Sequence, residues 1–309
     1  MLLRLGLGLG LFLGSMLLGW RLHRLGRLDE RRSAAIVRWI VITLSPVTLC
    51  LSFWSMNFTR REPWLLPLVG FLTSSSTLVP AFLYARWARM DRSQAGSFLN
   101  GAFFSNLGYM GAFSVFALFG EQGYALAILY LVYFSPAYYT VGFTIAGRYG
   151  QGRSPASSGG AESGELRWYP FVGMLVGAAL SLARVPRPPA CEWINTALIP
   201  VGTALYLITI GSQLTFESPR PWLRPCLAMS AIKFLFTPAV ALVLCGLFGI
   251  TGITRLIVLI EAGTPVGVSA LALPLLFGLD RRFANALWLF TTALAIPLFA
   301  VVLPLLARL

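Results

Sequence analysis

Long apolar runs separated by short polar segments dominate the chain. Each run comes close to the roughly 20 residues that a helix needs to cross a bilayer. Ten such runs are predicted as spans, over 2–20, 34–54, 63–85, 97–119, 123–146, 168–184, 193–214, 222–247, 252–277 and 283–307. The pattern predicts an all-α membrane protein. The ninth run breaks the rule it otherwise follows. Within IVLIEAGTPVGVSALALPLLFGLD (257–280), Glu261 places a carboxylate at membrane depth, and GTPVG then interrupts the helix.

Composition agrees with the pattern: 57% of the 309 residues are hydrophobic and 11% are charged. A soluble domain of this length could not bury that much apolar surface. The net charge of +13 does not mark a nucleic-acid binder, because the arginines punctuate the spans and build no single basic face. Fifteen arginines, from Arg21 to Arg282, follow odd-numbered spans, against seven on the other side. Basic loops stay cytoplasmic, so both termini are expected outside the cytoplasm. The first run is not read as a signal peptide, since Arg21, Arg24 and Arg27 follow it and do not precede it. Cys50, Cys191, Cys226 and Cys245 form no C-x-x-C pair and read as small packing residues. His23 is the only histidine, so no metal site is expected. H-E-x-x-H, G-x-S-x-G and P-loop motifs are all missing, which argues against an enzyme and against direct nucleotide drive.

The chain repeats itself at an offset of 158. Pro63-Trp64-Leu65-x-Pro67 matches Pro221-Trp222-Leu223-x-Pro225, Pro80-Ala81 matches Pro238-Ala239, and Phe119-Gly120 matches Phe277-Gly278. Five spans separate the copies. An odd number of crossings inverts the second copy, which predicts a 5+5 inverted repeat. Residues 1–146 then form the first five-helix repeat, the Gly/Ser-rich segment 147–167 a cytoplasmic linker, and residues 168–309 the second repeat. Spans 1, 2, 6 and 7 match each other less clearly and are assigned to a scaffold. Spans 3–5 and 8–10 are assigned to a transport core.

The same offset sets GTPVGVS (263–269) opposite SNLGYMG (105–111), both at mid-span. Pro265 lacks an N–H, and Gly108, Gly111, Gly263 and Gly267 accept irregular dihedrals. Two broken helices meeting near the midplane are therefore expected. Their loose N–H groups suit an anion and their loose carbonyls a cation. Candidate substrate-binding residues are Ser105, Asn106, Gly108, Tyr109, Thr264, Pro265, Gly267, Ser269 and Lys233, the only lysine. Lys233 lies eleven residues into span 8, about 16 Å deep by helical rise. Glu261 is the candidate ion-coupling residue, since ionisable groups inside a bilayer are costly and tend to be functional. The alternative is that Glu261 and Lys233 form a buried ion pair. The hydroxyl run Thr73-Ser74-Ser75-Ser76-Thr77 surrounds the repeat position of Lys233 and reads either as site lining or as helix packing.

LGWRLHRLGRLDERR after span 1, FFSNLGYMGAFSVFALFG in span 4, LYLITIGSQL in span 7 and EAGTPVGVSALALPLLFGLD in span 9 resemble the auxin efflux carrier family. That family includes bacterial malate and malonate permeases, and its fold is related to bile acid/sodium symporters. The resemblance implies ten helices, a scaffold and a moving core, and an organic-anion substrate at the crossing of spans 4 and 9. The family's span-4 asparagine maps to Asn106 and its span-9 proline to Pro265. The chain departs from the plant members, which carry a proline at the span-4 break and a long hydrophilic loop, and it is closer to the bacterial type.

The expectation is a secondary transporter of a small carboxylate, moved by elevator-type alternating access in a bacterial plasma membrane. It needs no cofactor beyond a coupling proton or sodium ion. The lipid bilayer is its environment, and a homodimer is left open as its assembly. The alternatives are a sodium-coupled symporter of the bile-acid type and a transport-inactive membrane sensor on the same fold.

Overall fold

The computed structural model describes residues 2–58, 61–150, 168–214 and 218–306. Among them all regular secondary structure is helical apart from one isolated β-bridge. In chain order the helical elements are α1 (Leu2–Arg24), α2 (Glu30–Trp54), α3 (Glu62–Trp87), α4 (Arg92–Phe103), α5 (Leu107–Tyr149), α6 (Trp168–Leu182), α7 (Ala190–Gly211), α8 (Arg220–Phe248), α9 (Gly252–Ala262), α10 (Ser269–Phe277) and α11 (Arg281–Leu306). Six helices among the described residues are long and apolar enough to cross a membrane: α2, α3, α5, α7, α8 and α11. Helix α6 is apolar but has 15 residues. Most of the predicted linker, residues 151–167, lies outside the described residues.

Large apolar side chains such as Trp87, Trp168, Trp193 and Leu247 stand exposed on helix faces. A chain whose surroundings are lipid has no reason to hide them, and the molecule is an integral membrane protein.

The repeated sequence words mark repeated backbone events. Helix α5 is two segments joined at Gly120, where φ is 67° and ψ is −157°. Helix α10 ends at Gly278, where φ is 70° and ψ is 35°. The two ψ values differ, but both glycines have a positive φ that side chains with a Cβ disfavour, so each copy of Phe-Gly places its glycine where one is favoured. The second pair of words is similar. Pro80 follows an interruption of α3 at Thr77, and Pro238 follows a wide helical turn at Ile232–Phe236 in α8. A proline leaves the carbonyl four residues back without its donor, so it tolerates a helix already loosened there.

The chain divides into two compact units. One comprises Met1–Trp64, Ala112–Ile128 and Gly160–Leu214. Glycine lets its helices pack backbone to backbone. A Cβ on Gly173 would strike the carbonyl of Pro46, and one on Gly177 that of Cys50. This glycine pair, spaced by four, brings α6 onto α2, as small residues do where apolar solvent gives no driving force of its own. Gly19 against Ile208 and Gly211 against Met16 hold α1 to α7 in the same way. A buried polar knot adds direction. Glu121 accepts from Arg187 at 2.5 Å and from Asn195, and Asn195 also donates to Ser52 at 2.8 Å.

The other unit comprises Leu65–Gly111, Leu129–Gly159 and Thr215–Leu309. Its interior holds stacked aromatic rings, including Phe98 between Tyr84 and Phe283. Gly70 packs against the Tyr130 carbonyl and the Tyr133 ring.

Replacing Gly177 by leucine is expected to lower the unfolding temperature in detergent by about 10 °C or to prevent folding, since the side chain would enter the α2 backbone. Gly14→Leu meets nothing within 4 Å of the new Cβ and should stay within about 2 °C of the parent.

Candidate functional site

The second unit contains the two breaks foreseen in the sequence, and they lie against each other. Helix α4 ends at Phe103, and Phe104 turns extended with φ −91° and ψ 114°. Helix α9 ends at Ala262, and residues 263–268 are non-helical. Ser105 and Val266 then form an antiparallel bridge. The Asn106 N–H donates to the Pro265 carbonyl at 2.8 Å, and the Gly267 N–H to the Phe104 carbonyl at 2.8 Å. Each break thus satisfies backbone groups of the other. Unpaired N–H and C=O groups in a bilayer interior cost several kcal/mol each, which explains why two breaks at equal depth pair up. The Thr291 hydroxyl of α11 accepts from the Val266 N–H at 3.2 Å and completes the bridge.

Close approach explains the glycines. A Cβ on Gly267 would lie 2.6 Å from the Ser105 carbonyl oxygen, so the crossing requires the missing side chain. A Cβ on Gly111 would overlap the Glu261 carboxylate, so Gly111 makes the room in which that carboxylate sits. Gly108 faces open space instead.

The two interrupted helices leave carbonyls behind. In a continuous helix the Ala102 carbonyl would accept from Asn106, but that N–H is turned across to Pro265. Lys233 fills the gap, donating to the Ala102 carbonyl at 2.6 Å and to the Ser105 hydroxyl at 2.7 Å. Thr77 donates to the same carbonyl at 2.9 Å. On the other side, Pro265 cannot donate to the Glu261 carbonyl. Thr264 takes that acceptor with both its N–H, at 3.2 Å, and its hydroxyl, at 2.7 Å.

Of the sequence-predicted residues, Ser105, Asn106, Pro265, Gly267 and Lys233 are joined directly by these bonds. Thr264 and Glu261 adjoin them through the same turn. Gly108 and Tyr109 are half-buried one turn further along, and Ser269 is half-buried at the start of α10. The alternative of a Lys233–Glu261 ion pair is not what forms. Lys233 is instead turned to the first break, where it donates to the Ala102 carbonyl. Both side chains are fully buried.

The polar atoms left over are informative. Among the described residues, neither Glu261 carboxylate oxygen nor Asn106 Oδ1 has a hydrogen-bond partner. Asn106 spends its backbone on structure, since its carbonyl accepts from Met110 and Gly111, and keeps its side-chain oxygen free. Glu261 lies within electrostatic reach of Tyr130 and Tyr133, and the Tyr133 hydroxyl is bonded to Ser74. The hydroxyl run of span 3 therefore divides, with Ser74 facing this tyrosine and Thr77 facing the break.

Sequence reasoning missed Thr291, Tyr130 and Tyr133, which carry no signal of their own in an apolar helix. It also missed the Glu121–Arg187–Asn195 knot. The signal there was a carboxylate directly after the repeated Phe-Gly turn.

Gly267→Ala is expected to destabilise the protein by about 2–3 kcal/mol, because backbone and not a flexible side chain is in the way. At Gly263 the nearest atom to a new Cβ is 3.4 Å away, so Gly263→Ala should stay within about 1 kcal/mol. Equilibrium unfolding of both variants in the same detergent checks the contrast.

Comparison with known proteins points to membrane transporters. Residues 162–303 match a family model described as "Membrane transport protein". An uncharacterized transporter of Methanothermobacter thermautotrophicus is 22% identical over 299 residues, covering 93% of this chain and 95% of that protein. A second uncharacterized transporter, from Methanocaldococcus jannaschii, is 23% identical over 289 residues, covering 90% and 91% respectively. The resemblance to the auxin efflux carrier family read from the motifs is thus supported by a membrane-transport family match over residues 162–303 and by two transporter-named relatives.

Proposed function

We propose that this protein is a secondary active transporter of a small organic anion, with the substrate held at the crossing of the two breaks. The observation that carries the reading is the pair of interlocked breaks with buried, unpartnered acceptors, Asn106 Oδ1 and the Glu261 carboxylate, beside them. A structural core normally satisfies such atoms. A site that must exchange a ligand and an ion keeps them available.

In this reading α4 with the first segment of α5, and α9 with α10, are the two discontinuous crossings. With the second segment of α5 counted separately, ten crossings result. The positive φ shared by Gly120 and Gly278 and the antiparallel bridge between the breaks support a 5+5 inverted repeat. The two compact units support a division into a scaffold and a moving core, as an elevator requires. The amide of Asn106 and the N-terminal ends of the second half-helices, at Gly108–Tyr109 and at Ser269, would hold the anion. Lys233 borders this space and holds Ser105 in place.

Glu261 is the coupling residue in this scheme. Its oxygens have no donor among the described residues, so they are open to a proton or a cation. No group of three or more acidic, histidine or cysteine side chains accompanies it among the described residues. A proton needs one carboxylate, whereas a sodium ion wants several oxygens, and proton coupling is therefore the reading adopted.

Proteoliposomes offered a panel of labelled mono- and dicarboxylates, with and without proton and sodium gradients, test the function. Glu261→Gln should abolish gradient-driven accumulation while leaving substrate exchange within about threefold of the parent. Asn106→Ala should weaken substrate affinity by about tenfold or more, the scale of one lost hydrogen bond to a charged ligand. Accumulation by Glu261→Gln at the parental rate would remove it from the coupling role. Topology offers a separate check. Arg89→Cys should be labelled from the cytoplasmic side alone, and a C-terminal tag should be reachable from outside alone.

A further inference from the structure

We infer that Lys233 is a tethered monovalent cation, occupying at the first break the position that a dissolved alkali-metal ion would otherwise take. The inference stands on hydrogen-bond geometry and does not depend on the transport reading.

The first observation concerns supply and demand at the Ala102 carbonyl. The break removes its helical donor, because the Asn106 N–H serves Pro265. This carbonyl lies at the C-terminal end of α4, where the helix dipole is negative. Lys233 Nζ sits 2.6 Å from it and 2.7 Å from Ser105 Oγ. The Thr77 hydroxyl, shared between the Ser74 carbonyl at 2.6 Å and the Ala102 carbonyl at 2.9 Å, flanks the pair. A backbone carbonyl and a hydroxyl are hard oxygen donors of the kind that hold an alkali-metal ion at a half-helix end.

The second observation is that nothing else neutralises Lys233. Its side chain is fully buried, and no carboxylate pairs with it among the described residues. Its bonded partners are the carbonyl dipole and a hydroxyl, which is the coordination of an ion and not of a salt bridge. A helix irregularity aims it there. Lys233 is the second residue of the wide turn Ile232–Phe236, a distortion that often re-aims a side chain at a functional site.

The third observation is the contrast between the two breaks. At offset 158 the counterpart of Asn106 is Thr264, whose own hydroxyl closes the orphan Glu261 carbonyl. The second break therefore needs no outside cation. The counterpart of Lys233 in span 3 is Ser75, which brings no charge. Within otherwise matching repeats, the cation is a feature of the first break alone.

The consequence is that the first break holds its shape without any bound ion, so its integrity does not vary with the sodium concentration. Lys233 is thus a positioning residue for Ser105 and Asn106.

The test is thermal unfolding of the purified full-length protein in detergent, in sodium chloride, lithium chloride or choline chloride at equal ionic strength. For Lys233→Ser, the midpoint in choline should fall well below that of the parent. Sodium or lithium should raise it by about 3 °C or more beyond any shift seen in the parent. Lys233→Arg, which keeps a cation, should respond to sodium as the parent does. The inference is overturned if Lys233→Ser responds to sodium no more than the parent, or if it matches the parent's stability in choline. Should Lys233→Ser fail to accumulate in cells grown in low sodium, recovery of folded protein in sodium-rich medium supports the inference, and no recovery overturns it.

Discussion

The arrangement depends on one constraint: a helix interrupted inside a membrane must find partners for the backbone groups it releases. Two interruptions at equal depth can solve this for each other. Here the solution is a two-residue bridge in which Asn106 serves Pro265 and Gly267 serves Phe104. The close approach of the strands excludes a side chain at Gly267. The carbonyls that the bridge cannot reach fall to side chains, Lys233 and Thr77 for one break and Thr264 for the other. The polar residues near the crossing therefore divide into those that repair the backbone and those that remain open.

That division sharpens the functional reading. Ser105, Lys233, Thr77, Thr264 and Thr291 are committed to holding the breaks together. Asn106 Oδ1 and the Glu261 carboxylate are not committed, among the described residues, and each is buried. Burying acceptors without donors is unfavourable, and that cost is the ground on which the proposed site rests. Gly111 belongs to the same account, since any side chain there would displace the Glu261 carboxylate.

The unit around α1, α2, α6 and α7 follows a different logic. Its helices meet through glycine and backbone at Gly19, Gly173, Gly177 and Gly211. In lipid, where apolar contact with the solvent is no worse than contact with protein, such close packing and a few buried polar bonds supply the adhesion. The Glu121–Arg187 pair with Asn195 belongs here, and it gives this unit a fixed internal register.

The sequence by itself determined the helical class, the membrane setting and the position of both breaks. Hydrophobic run length, proline and glycine act locally, and their effects are readable without knowing the fold. The repeat words Phe119-Gly120 and Phe277-Gly278 were legible for the same reason, since a positive φ strongly favours glycine. Only the tertiary structure decided which groups meet. From sequence, Lys233 and Glu261 were equally good partners for each other, because opposite charges at similar depth attract. The fold sends Lys233 to the Ala102 carbonyl and leaves Glu261 beside Gly111, Tyr130 and Tyr133. The direction in which a side chain points from a helix depends on a single irregular turn at Ile232–Phe236, and no periodicity in the chain announces that turn.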